Sequence, residues 1–100
     1  MIRHIVMWKL KDFAEGCSRE ENIRKLKDQL EALRDTIPEI KHLEVGINLN
    51  PSDAACDVVL VSEFESKQDL QGYQEHHEHL KAAEFIGKIR SERAVADYKV

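Results

Sequence analysis

The sequence predicts one small α+β domain of the ferredoxin-like kind, with elements in the order β-α-β-β-α-β. Three observations point to it. A strand with period-two alternation opens the chain, two stretches with helical apolar spacing follow capping signals, and three further strand-like runs lie between and after the helices. That order gives a four-stranded antiparallel sheet with both helices on one face.

The first strand is "IRHIVMWKLK", residues 2–11. Its alternation sets His4, Val6, Trp8 and Leu10 on one face and Ile5 and Met7 on the other. Apolar residues on both faces imply that both are covered. "DFAEGC" reads as a loop. Ser18 is an N-cap with Glu21 in capping-box position. Ile23, Leu26, Leu30, Leu33 and Ile37 then recur at spacings of three and four, a helix with one apolar stripe that ends at Pro38. Arg24, Lys27, Asp28 and Arg34 take its polar side.

In "IKHLEVGINLN" (40–50), Leu43, Val45, Ile47 and Leu49 alternate with His42, Glu44, Gly46 and Asn48, a second strand that stops at Pro51. "CDVVLVSEFE" (56–65) is the third strand. Ser66 with Asp69 opens a second helix, which runs through a histidine-rich stretch to about Arg90 despite Gly72 and Gly87. In this helix Tyr73 falls on one side with Leu70, His77 and Leu80. "RAVADYKV" (93–100) closes the chain as a fourth strand. No repeat, linker or low-complexity segment interrupts residues 1–100, so one domain is expected.

Composition narrows the function. A chain of 100 residues buries only about two-thirds of the surface that its unfolded form exposes, so a partner subunit would add burial. Fifteen basic and nineteen acidic residues give a net charge of −4, without the basic footprint of a nucleic-acid or anionic-membrane binder. The opening run is too short and too charged for a signal peptide, and no stretch is apolar for long enough to span a bilayer. Cys17 and Cys56 form neither a CxxC nor a disulfide framework, which suits reduced thiols in a cytoplasmic protein. Cys17 is expected in an exposed loop and Cys56 at the start of a strand. No phosphate loop, paired-carboxylate signature or nucleophile elbow is present.

The stretch "GYQEHHEHLKAAEF" (72–85) holds three of the five histidines. His76 and His79, three residues apart on a helix, could share a cation. A third ligand at a recognised spacing is missing, and no metal is expected. For His76 and His77 the simpler reading is a half-exposed, charged helix surface. His4, a lone histidine on a strand face, also reads as a satisfied core residue, and Tyr73 as a buried ring with one hydrogen bond.

Four segments together resemble the stress-responsive dimeric A/B barrel family: "MIRHIVMWKLK", "TIPEIKHLEVGIN", "FESKQDLQGYQEHHEHL" and "VADYKV". The resemblance spans nearly the whole chain in the same order. It implies a ferredoxin-like protomer, a homodimer made by two sheets packing face to face into a dimeric α+β barrel, and a small cavity between sheet and helices. Some members of that family are named for abundance under stress, and a few cyclise polyketide chains. In those cyclases a tyrosine and a histidine of the second helical region form the acid/base pair, with the strand-one histidine nearby. The matching positions here are Tyr73, His79 and His4, the candidate catalytic residues. Many members carry an H-P-x-H pattern, and His77 stands where their proline would be.

On one unbroken helix, Tyr73 and His79 would lie about 120° apart around the axis and would not converge. A break near residues 76–78 is therefore required for a shared site. Its pocket is expected to be lined by Val6, Trp8, Leu30, Leu43, Leu60 and Val95. Neutral His79 would remove a proton alpha to a carbonyl, and the Tyr73 hydroxyl would stabilise the enolate oxygen, with no cofactor. The partner is then a second copy of the chain, and the ligand a small apolar or polyketide-like molecule. The alternative is a non-enzymatic, stress-responsive oligomeric protein whose cavity is filled by its own side chains. A monooxygenase of similar dimeric barrel fold has no specific support in the residues.

Overall fold

A computed structural model describes residues 1–100. The elements are β1 (Ile2–Leu10), β2 (Phe13–Ala14), β3 (Cys17–Ser18), α1 (Arg19–Thr36), β4 (His42–Ile47), β5 (Val58–Phe64), α2 (Lys67–Glu75), α3 (His77–Ile89) and β6 (Arg90–Lys99). Four strands form one antiparallel sheet in the order β4-β5-β1-β6. This is the ferredoxin-like α+β fold, with three helices in place of the expected two.

The period-two pattern of β1 sorts its faces as expected. Ile2, His4, Val6, Trp8 and Leu10 are buried on the helix side, while Met7 is 42% exposed on the open side. Helix α1 starts at Ser18, whose hydroxyl accepts the Glu21 amide while the Glu21 carboxylate accepts the Ser18 N–H. Its apolar stripe buries Leu26, Leu30 and Leu33 against the sheet. Burying each such leucine contributes about 2 kcal/mol. The opposite side is more than a wet surface. Lys27 Nζ donates to the Val45 carbonyl at 2.9 Å, and Arg34 donates to that of Leu43, so two long side chains shield the edge strand β4.

Several boundaries differ from the sequence reading. The "DFAEGC" loop contains the two-residue ladder β2/β3, turned by Glu15 (φ 50°) and Gly16 (φ 76°). Two consecutive left-handed residues fit a tight hairpin, but glutamate rarely occupies the first of them, so the signal was weak. Strand β4 ends at Ile47, and Leu49 is 94% exposed beyond it. Cys56 lies before β5 rather than starting it, and Cys17 is half-buried in β3, where Lys25 Nζ donates to its sulfur at 2.9 Å. The last strand starts at Arg90 and is the opposite edge of the sheet, exposed along almost all its length.

The main difference lies between Lys67 and Ile89. The chain leaves the helix at His76, with φ −63° and ψ 137°, and starts a new one at His77. The His76 Nδ1 accepts the Glu78 amide, and its own N–H donates to the Tyr73 carbonyl. One histidine therefore stops α2 and caps α3, as a side-chain acceptor at an N-cap does. The break also redistributes the faces. Leu70 and Tyr73 are buried, but His77 is exposed and Leu80 is 53% exposed, so neither joins the buried side of Tyr73.

Candidate functional site

A cavity of about 310 Å³ lies between the helix face of β1 and β5 and the helices α1, α2 and α3, and it reaches the first residues of β6. It is lined by His4, Val6, Trp8, Leu30, Leu60, Tyr73, Gln74, His79, Ala82, Ala83, Ile86, Gly87, Arg90 and Arg93. A volume of a few hundred Å³, mostly apolar with a few polar groups, is the usual size and make-up of a small-molecule pocket.

The break in the helix brings the polar groups together. Tyr73, in the last turns of α2, has no exposed surface, and its ring packs on Phe64 at 4.9 Å between centroids. His79, in the first turn of α3, sits with its ring 4.5 Å from that of Tyr73. The His4 ring meets Tyr73 edge-on at 6.2 Å from the sheet side. Three polar side chains from three elements thus border one space.

Their chemistry differs. The Tyr73 hydroxyl is buried and has no hydrogen-bond partner in the protein. Burial pushes its pKa above the ordinary tyrosine value, so it stays protonated and able to donate. His79 donates from Nδ1 to the Gln74 carbonyl at 3.0 Å. That leaves Nε2 as the nitrogen with a free lone pair. Burial is the main cause lowering the His79 pKa, opposed by the bond to Gln74 and supported by the nearby charges of His4, Arg93 and His76. His79 is therefore a neutral base at pH 7. His4, 2% exposed, is anchored from Nδ1 to the Asp97 carboxylate.

Of the pocket residues expected from sequence, Val6, Trp8, Leu30 and Leu60 line the cavity, while Leu43 and Val95 do not. Leu43 is buried in the core beside β5, on the far side from β6. Val95 pairs with Val6 but lies on the edge strand, where no helix covers it, and is 49% exposed. His76 and His77 do not line the cavity. No group of three or more His, Cys, Asp or Glu side chains is placed to hold a metal ion.

Sequence reasoning missed Gln74, Arg90, Arg93 and Asp97. Once β6 is placed beside β1, its register sets Asp97 opposite His4 and Arg93 opposite Trp8. That pairing, rather than any motif, was the signal that could have found the last two.

The family model described as the Stress responsive A/B Barrel Domain matches residues 2–100. A dimeric protein of unknown function and ferredoxin-like fold from Bacteroides fragilis is 32% identical, with 99% of this chain and 95% of that one covered at a TM-score of 0.84. A dimeric ferredoxin-like protein of unknown function from Thermobifida fusca is 22% identical over 99% and 90%, with a TM-score of 0.85. The hydroxynitrile lyase of Passiflora edulis is 24% identical over 99% and 92%, with a TM-score of 0.80. The last two are likenesses of fold alone. Comparison with curated protein sequences gives no match.

Proposed function

The chain belongs to the stress-responsive A/B barrel family, and on that premise we propose that it is a homodimer whose cavity binds a small carbonyl compound and moves a proton on it. The observation that carries the reading is the Tyr73 hydroxyl, wholly buried and without a partner in the same cavity as His79. A buried hydroxyl left unpaired costs about 1–3 kcal/mol. A ligand oxygen that displaces the side chains covering the hydroxyl would supply the missing acceptor.

The step needs only proton transfer. His79 Nε2 takes a proton from the carbon next to the carbonyl, the C–H pair moves into a C–C double bond, and charge develops on the oxygen. The Tyr73 O–H donates to that oxygen from a ring held against Phe64. His4, fixed by Asp97, supports the aromatic face of Tyr73. An enolate formed this way can attack a second carbonyl of the same molecule, which is the closure that cyclase-type relatives perform.

The homodimer rests on the open face of the sheet. Ile5, Met7, Val59, Val61, Ala94 and Ala96 share that face by register, and no helix covers it. The similar proteins from Bacteroides fragilis and Thermobifida fusca are described as dimeric.

The test is deuterium exchange into methyl levulinate in D2O, followed by NMR at the carbons flanking the ketone. The parent should accelerate exchange, and His79→Ala and Tyr73→Phe should each lose about 100-fold of that acceleration. Exchange no faster than in buffer alone would overturn the acid/base reading.

A further inference from the structure

Two arginines border the cavity. Arg90 stands where α3 passes into β6, and Arg93 lies three residues on, opposite Trp8 of β1. Neither guanidinium has an ion-pair partner or a hydrogen bond to another side chain, although the chain carries nineteen acidic residues. No aspartate or glutamate lines the cavity. The His4 ring, on the cavity wall, is bound in turn to the Asp97 carboxylate. A chain of net charge −4 thus borders with two unpaired arginines the cavity that the unpartnered Tyr73 lines.

From this we infer that the ligand carries a carboxylate, held by Arg90 and Arg93, while its ketone lies between Tyr73 and His79. The inference rests on the reading above and names the substrate class for it: a short keto acid. A guanidinium presents a planar fork of N–H donors that matches the two oxygens of a carboxylate. The cavity volume corresponds to about ten water-sized groups at about 30 Å³ each, room for a chain of a few carbons between the two functions. The arrangement also suits the chemistry. Burial is the main influence that disfavours a proton on His79, and the charge of Arg93 adds to it. The arginines would hold the ligand by a group that does not react, which sets the ketone in place before proton transfer.

The test measures binding of levulinate and of its neutral methyl ester by quenching of Trp8, the single tryptophan, which lines the cavity. The parent should bind the acid about tenfold more tightly than the ester at low salt, and added salt should reduce that preference. In Arg90→Gln and Arg93→Gln the preference should fall toward one, with unfolding midpoints near the parent's. Equal affinity for acid and ester in the parent, or a preference that survives both substitutions, would overturn the inference. So would 2-oxopropylphosphonate binding far more tightly than levulinate, since that would assign the arginines to a phosphoryl group. The two readings separate cleanly. An arginine-dependent preference for the acid without deuterium exchange would sink the acid/base step and leave the carboxylate site standing. Exchange into acid and ester at equal rates would do the reverse.

Discussion

Tyr73 is an unusual side chain to keep for stability alone, because its hydroxyl is buried with nothing to bond. If the hydroxyl serves a ligand, Tyr73→Phe should leave the protein as stable as the parent, or more stable by about 1 kcal/mol, while ligand binding falls. Urea unfolding checks the first half. A loss of more than about 1 kcal/mol would show that the hydroxyl has a structural partner. His79 makes a second prediction, through pH. Its folded pKa lies below the unfolded value of about 6.5. The stability it contributes is therefore present above that value and is lost as pH falls from about 6.5 toward the folded pKa. Activity that needs the neutral base follows the same window. The acid limb of kcat/KM for a carbonyl substrate should have its midpoint below pH 6.5, and a midpoint above it would exclude His79 as the titrating base.

At the scale of elements, the break at His76 decides the site. The H-P-x-H pattern would put a proline at residue 77, the first position of α3, where its fixed φ and missing N–H do no harm. Here the His76 side chain performs the same task as a cap. Its backbone, at φ −63° and ψ 137°, already has the extended geometry that a residue before proline requires. His77→Pro should therefore be tolerated, with stability unchanged or raised by about 0.5–1 kcal/mol through a stiffer unfolded chain. Thermal unfolding checks it, and a clear loss of stability would mean that the His77 amide is needed. A second element, α1, presents Leu30 both to the core and to the cavity. Leu30→Ala should cost about 2–5 kcal/mol, as buried leucines do.

At the scale of the molecule, the sheet has one face covered and one bare. The core cluster lies wholly on the helix side, while Met7 stands 42% exposed in the middle of the other face. An apolar face rimmed by the Arg3–Glu63 ion pair fits a sheet-to-sheet contact with a second copy. Sedimentation at micromolar concentration should show a dimer, and Met7→Glu should shift it to monomer and lower the unfolding midpoint. A parent that sediments as a folded monomer would remove the dimer.

The sequence alone determined the order of elements, the faces of β1 and the start of α1. These follow from spacing and capping, which are local: alternation at period two, leucines at three and four, and serine with glutamate three residues on. It also singled out Tyr73, His79 and His4, through the resemblance. What it could not determine was where these side chains point. A helix read as continuous from Ser66 turns Tyr73 and His79 apart, and only the cap made by His76 re-aims the second segment. The same holds for Asp97, Arg90 and Arg93, which mean nothing as a motif. They reach the cavity because β6 pairs with β1 across more than eighty residues of chain. Register between distant strands is a property of packing, and no local pattern in β6 encodes it.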